Sequence, residues 1–225
     1  KVGDLKEFFH VGVDVPEGNP LKKEYPKNVS VTDVQDFDAT LRELYNSLNK
    51  LGMDLLRAIA ISLDLDKEYF TNYVEYGNSI LRPIHYPPVP KDAEVSAIRA
   101  AAHEDINLIT LLIGASNPGL QAKHTSGEWV PVQTKADEIV INVGDMLQRL
   151  TNHHFVSTTH QVVNPTDSAK LQESRLSVPF FLHPVSDMSL KALPQCVTPE
   201  NPQKDPDITA GEYLNQRLRE IGLIK

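Results

Sequence analysis

A chain of 225 residues, 40% hydrophobic and 23% charged, is long enough to bury the core of one sizeable domain. Its net charge of −8, without an offsetting Lys/Arg cluster, speaks against a nucleic-acid surface, and no segment reads as a bilayer span or a signal peptide. The single cysteine, Cys196, rules out an internal disulfide scaffold and is compatible with a reducing, cytoplasmic location.

Residues 1–30 mix Gly3, Gly12 and Gly18 with Pro16, Pro20, Pro26 and charged side chains, the pattern of an irregular connecting segment. Phe8 and Phe9 are expected to be packing anchors there, with His10 structural. Thr32-x-x-Gln35 has the form of a capping box. Beyond it Leu41, Leu44, Leu48, Leu51, Leu55 and Ile59 recur at spacings of three and four, which predicts one long helix with a continuous apolar stripe. Gly52 is expected to soften or bend that helix. A second, short helix is expected over residues 67–76.

From about Asn78 the pattern turns to strands. Residues 106–113 are nearly all apolar, as in a strand buried on both sides. Asn117-Pro118-Gly119 and Ser126-Gly127 are turn signals, the first returning the chain along 120–123 and the second preceding 128–132. Residues 139–143 form a further strand closed by Gly144-Asp145, and 146–152 a helical turn leading to His153 and His154. Pro165 to Ser168 suggests a hairpin tip. In 175–182 strict alternation puts Arg175, Ser177, Pro179 and Phe181 on one face, and Pro179 implies an edge strand or a bulge. After Pro184 a Pro-rich stretch runs to Pro206. Thr209-x-x-Glu212 then opens a last helix, with Leu214, Leu218 and Ile221 as its stripe. Short strands with turns at this spacing indicate a sandwich or barrel.

Three groups of residues carry chemistry. His103 and Asp105 are i and i+2, so on an extended segment both side chains share a face. His160 lies far enough on for the chain to run out through several antiparallel strands and return beside them. Two His and one carboxylate on one side of a metal leave the opposite positions open, which suits non-haem Fe(II) and O2. Arg175 and Ser177, again i and i+2, can clamp a carboxylate. His153 and His154 are rival metal ligands, but neighbours on a strand face opposite ways and only one could enter a barrel. His85, His124 and His183 are expected to be structural, and Cys196 passive. A His-x-Asp alone is weak; the ordered set is the stronger signal.

The phrases LRPIHYPPVP (81–90), AAHEDINLITLLIG (101–114), GLQAKHTSGEWVPV (119–132), IVINVGDMLQRLTN (139–152), STTHQVVNP (157–165) and ESRLSVPFFLHP (173–184) together resemble the Fe(II)- and 2-oxoglutarate-dependent oxygenases, in particular the isopenicillin N synthase-like branch. The resemblance implies a mainly β fold with flanking helices: a double-stranded β-helix, or jelly-roll barrel, with a long packing helix and a C-terminal helix. It implies residues 78–185 as the jelly-roll core, 1–77 as a connecting segment and packing helices, and 186–225 as a Pro-rich segment and C-terminal helix. Relatives usually carry a further N-terminal region, so an upstream portion is expected.

By the same resemblance His103, Asp105 and His160 hold Fe(II). Arg175 and Ser177 hold the distal carboxylate of 2-oxoglutarate, with Tyr86 assisting from a phrase in which Ile84 replaces the family's usual Asn. Gln161 stands where relatives usually have Arg. The implied reaction consumes O2 and 2-oxoglutarate, releases succinate and CO2, and oxidises, most simply hydroxylates, an unactivated C–H bond of a small-molecule substrate. Two alternatives stay open at this point: an oxidase of the isopenicillin N synthase or aminocyclopropane-carboxylate oxidase kind that uses no 2-oxoglutarate, and a non-catalytic jelly-roll binding protein.

Overall fold

A computed structural model describes residues 5–89, 98–135, 137–167 and 170–224. The strands are β1 Glu7–Phe8, β2 Val11–Gly12, β3 Ile80–Leu81, β4 Ile84–Tyr86, β5 Ala100–His103, β6 Ile109–Ile113, β7 Leu120–Lys123, β8 Trp129–Pro131, β9 Ile139–Val143, β10 His160–Val162 and β11 Arg175–Leu182. The helices are α1 Phe37–Ser62, α2 Thr71–Val74, α3 Asp145–Leu150 and α4 Ala210–Glu220. The strands form two antiparallel sheets. In the larger one β9 pairs β6 and β6 pairs β11, while the other edge of β11 is shared by β4 and β3, which carry β1 and β2. The smaller sheet runs β5-β10-β7-β8. Inner faces of both sheets line one cavity. This is the expected jelly roll, with helices on its outside.

The short pairings of β1 with β4 and β2 with β3 give residues 7–12 a sheet role that the glycine- and proline-rich composition of 1–30 did not suggest. Phe9 packs against the core, whereas Phe8 is 52% exposed and stacks on His10.

Helix α1 starts later than the sequence suggests. The proposed capping box does not form. Asp36 precedes the helix with φ 59° and no side-chain cap, and Asp38 in the first turn accepts the Ser30 hydroxyl and the Val31 N–H, hooking the incoming chain onto the helix. The fully buried stripe is Tyr45, Leu48, Gly52, Leu56 and Ala60, with Leu41, Leu44, Leu55 and Ile59 half-buried along its flank and Leu51 37% exposed. Gly52 explains the rotation. A Cβ there would lie 3.1 Å from Leu182 Cδ2 and 3.6 Å from Leu111 Cδ1, so the glycine is the point of closest approach between helix and sheet. Helix α2 is shorter than expected, four residues after a run of turns.

Strand β6 begins only at Ile109, because Asn107 turns the chain before it: its amide donates to the Ile109 carbonyl at 3.0 Å and to the Thr110 hydroxyl at 2.9 Å. Pro179 does not mark an edge, as its residue type led us to expect. Strand β11 is central, pairing with β6 along 178–182. The Pro179 carbonyl accepts the Arg82 N–H at 2.9 Å, so the side on which proline lacks a donor faces the break between β3 and β4 at Arg82-Pro83, where no ladder continues.

The Thr209–Glu212 capping box forms and starts α4 as expected, but the anchors of that helix are Ala210 and Tyr213, with Ile221 exposed. Tyr213 donates to Asp145 at 3.1 Å and lies under the Arg149 guanidinium. The tip proposed at 165–168 includes Ser168, which lies outside the described residues.

Candidate active site

The two proposed histidines are cross-strand partners: His160, first in β10, is in register with His103, last in β5. Their ring centroids are 4.5 Å apart. His103 Nδ1 lies 2.7 Å from the Ala101 carbonyl, and His160 Nδ1 lies 3.0 Å from the Thr158 carbonyl. A carbonyl only accepts, so each Nδ1 carries a proton and Nε2 is left as the nitrogen available to a metal. Although the His103 side chain keeps solvent contact, the protein packed around its ring, reinforced by His160, holds its pKa below the ordinary imidazole value and favours the neutral ligand form.

Asp105 was placed by sequence on the strand with His103, but β5 ends at His103 and Asp105 follows it in irregular chain. It still faces the histidines, because the carbonyls of residues 105–107 take the first N–H groups of α3, Asp145 N–H onto Asp105 at 2.7 Å among them. The carboxylate is only 6% exposed. One oxygen, Oδ2, accepts from Thr110 Oγ1 at 2.7 Å and Asn142 Nδ2 at 2.8 Å. The other, Oδ1, is 3.8 Å from His160 Nε2, beyond hydrogen-bonding distance. One ligand atom from each of His103, Asp105 and His160 lies within 4.8 Å of the others. Two imidazole nitrogens and one oriented carboxylate are a donor set that fits a divalent iron.

Thr110 and Asn142 are cross-strand partners on β6 and β9, and sequence reasoning missed both. The only signal was their polarity within otherwise apolar strands. Glu104, between the ligands, turns away and accepts from the Thr159 hydroxyl next to His160.

Another wall of the cavity belongs to β11. Arg175, Ser177, Pro179 and Phe181 all line it, as the alternation predicted. Arg175 is 2% exposed and spends Nε on the Asn117 carbonyl at 2.9 Å, while Nη1 is buried without a hydrogen-bond partner among the described residues. Its guanidinium carbon stands 5.0 Å from the ring centroid of Tyr86, its register partner on β4, and Ser177 is paired with Ile84. Burial depresses the Arg175 pKa, with Tyr86 acting in the opposite sense. A buried guanidinium with an orphaned donor is costly unless an anion meets it, so Arg175, Ser177 and Tyr86 together fit a carboxylate.

The remaining histidines lie outside this constellation. His153 and His154 are not on a strand: His153 has φ 63° in a turn and bonds Asp205 at 2.8 Å. His85 contacts Glu7 on β1, and His124 caps the Ser126-Gly127 turn. His183 is buried. Cys196 is a free thiol whose pKa burial raises.

The sequence profile of the 2OG-Fe(II) oxygenase superfamily matches residues 70–184, the span that contains every element of this site. The chain belongs to that superfamily. Among solved structures, a 2OG-Fe(II) oxygenase family protein from Caulobacter crescentus is 48% identical with a TM-score of 0.88, covering 97% of this chain and 70% of that one. A full-length Neurospora crassa protein in complex with alpha-KG is 31% identical with a TM-score of 0.85, covering 98% of this chain and 67% of that one. The 2-oxoglutarate-Fe(II) type oxidoreductase hxnY of Emericella nidulans is 32% identical across 94% of this chain and 62% of its own length. Across the first curated oxygenase relatives the chain spans 62%, 66% and 60% of their length. Among the described residues no helix is long and apolar enough to cross a membrane.

Proposed function

We propose that the chain carries the catalytic core, within residues 78–185, of an Fe(II)- and 2-oxoglutarate-dependent dioxygenase that acts on a small molecule. The observation that carries this reading is the pairing, in one cavity, of the His103/Asp105/His160 cluster with a buried, orphaned Arg175 donor. The single cysteine supports a cytoplasmic setting.

When bound, Fe(II) supplies the O2-dependent decarboxylation of 2-oxoglutarate to succinate and CO2 coupled to C–H oxidation. The chain's own residues do the rest. His103, His160 and Asp105 Oδ1 hold the ion; Thr110 and Asn142 keep Asp105 Oδ2 occupied so that Oδ1 faces inward. Arg175 and Ser177 fix the distal carboxylate, and Tyr86 supports the guanidinium. Apolar neighbours such as Leu112, Val140 and Val162 keep that part of the cavity dry.

The test is an anaerobic titration of the Fe(II)-loaded protein with 2-oxoglutarate, following the visible charge-transfer band of keto-acid chelation. A saturable band is expected. Arg175→Ala should weaken it by about 30-fold or more, since losing a buried charge-assisted pair costs on the order of 2–5 kcal/mol. Iron binding without any band would instead favour an oxidase that uses no 2-oxoglutarate, and equal affinity in wild type and Arg175→Ala would remove Arg175 from the clamp.

A further inference from the structure

Among the described residues, three cations, Lys6, Arg82 and Arg175, line the cavity against a single carboxylate, Asp105, in a chain whose net charge is −8. In the proposed function Arg175 is matched by the cosubstrate and Asp105 by the metal. Arg82 has no such assignment. It stands between β3 and β4, half-buried, and the nearby Asp105 carboxylate opposes the downward pull of burial on its pKa.

The guanidinium is held on three sides. Its carbon lies 5.0 Å from the Phe8 ring centroid and 4.8 Å from that of Phe181, so rings from β1 and β11 cover it. Its Nε donates to His10 Nε2 at 2.6 Å. His10 must be neutral to accept, and burial together with Arg82 itself lowers its pKa to about 4. The fourth side is the Nη1/Nη2 fork, which makes no hydrogen bond among the described residues. Packing fixes the plane of the group, and a neutral acceptor occupies Nε without cancelling its charge. A fork held in this way matches a carboxylate bidentately, with little ordering left to do on binding.

We infer that Arg82 is a specificity-determining residue: the primary substrate is a carboxylate-bearing molecule whose acid group docks on the Arg82 fork and whose apolar portion lies along Phe181. This rests on the oxygenase reading above, which places the cosubstrate at Arg175 and leaves the Arg82 side of the cavity to the substrate. The N-terminal segment, through Phe8 of β1 and His10 just beyond it, then shapes substrate recognition. A purely structural Arg82 would be indifferent to the charge of the ligand.

The test uses the full chain loaded with redox-inert Zn(II), with and without 2-oxoglutarate, and ligand-observed NMR titration of matched pairs: 3-phenylpropanoate against 3-phenylpropanamide, and octanoate against octanamide. At low salt the acids should bind at least tenfold more tightly than the amides. That ratio should fall below about threefold in Arg82→Gln and shrink as salt rises. Should Arg82→Gln fold poorly, the salt dependence of the wild-type ratio and the ratio in Arg82→Lys, which keeps the charge but loses the fork, still decide the matter. Amides binding as well as acids, acids that fail to bind at all, or an acid preference unchanged in Arg82→Gln would each overturn the assignment. Failure of the oxygenase reading shows separately, as absence of 2-oxoglutarate binding in the same titrations.

Discussion

Thr110→Val is the sharpest perturbation the site offers. Valine keeps the shape of the buried side chain and removes only the hydroxyl, which donates to Asp105 Oδ2 at 2.7 Å and accepts from Asn107 Nδ2 at 2.9 Å. Losing a hydrogen bond to a charged acceptor costs about 1.5–3 kcal/mol. Removing a partner that orients a metal ligand typically weakens metal binding about 10–100-fold, or roughly 1.4–2.8 kcal/mol. The two estimates agree, so affinity for Fe(II), or for Mn(II) as a stand-in, should fall about 10–100-fold in anaerobic chelator competition. Asn107 retains the Ile109 carbonyl as a partner and Asp105 retains Asn142, so the metal-free fold should survive. Asn142→Ala should act in the same direction. Because both donors serve one oxygen, the double variant should depart from the sum of the single effects. Metal affinity within about twofold of wild type in a folded Thr110→Val protein would show that Asp105 needs no second support.

Other expectations reach further from the metal. A Cβ on Gly144 would lie 2.2 Å from the Asn107 carbonyl oxygen, so Gly144→Ala should cost about 1–3 kcal/mol in urea unfolding and also weaken metal binding through Asn107 and Thr110. Thr209→Ala removes the capping box of α4 and should cost about 1 kcal/mol by the same assay, with the metal site unaffected. His183 is held neutral by burial, with its pKa lowered to about 4 from 6.5, so the unfolded chain takes up this proton first. Its contribution to stability is therefore complete above pH 6.5 and lost progressively as pH falls towards 4, by up to about 3 kcal/mol. In metal-free melts His183→Gln should flatten that slope, and an unchanged slope would assign the acid sensitivity elsewhere.

Much of this architecture is legible in the sequence because it obeys local rules. The period-two pattern of β11 correctly sends Arg175, Ser177, Pro179 and Phe181 into one cavity, and the turns at Gly119 and Gly127 stand at backbone with φ 138° and 90° that glycine tolerates. What escapes is set by register between strands distant in the chain. Thr110 and Asn142 converge on one oxygen only because β6 and β9 pair in the register that places them opposite. Pro179 misled for the same reason: its lack of a donor is harmless in a central strand once Arg82-Pro83 interrupts the neighbouring edge. The helix stripe was offset because the choice between Leu51 and Gly52 as the contact point depends on where Leu182 and Leu111 project from the sheet.

The division of labour between the sheets bears on what binding does to the fold. The smaller sheet supplies His103 and His160 from adjacent paired strands, whereas Arg175, Ser177 and Tyr86 of the clamp all stand on the larger one. Asp105 leaves that sheet after β5 and is held by Thr110 and Asn142 of the larger one. An ion shared by these three side chains is thus a cross-link between the sheets, whereas an anion on Arg175 and Ser177 rests on the larger sheet. Both would raise stability by mass action. Only the ion should do so by resisting separation of the sheets, which places its protection in hydrogen exchange on β5 and β10 as well as on β6 and β9. The clamp's protection should stay with β11 and β4.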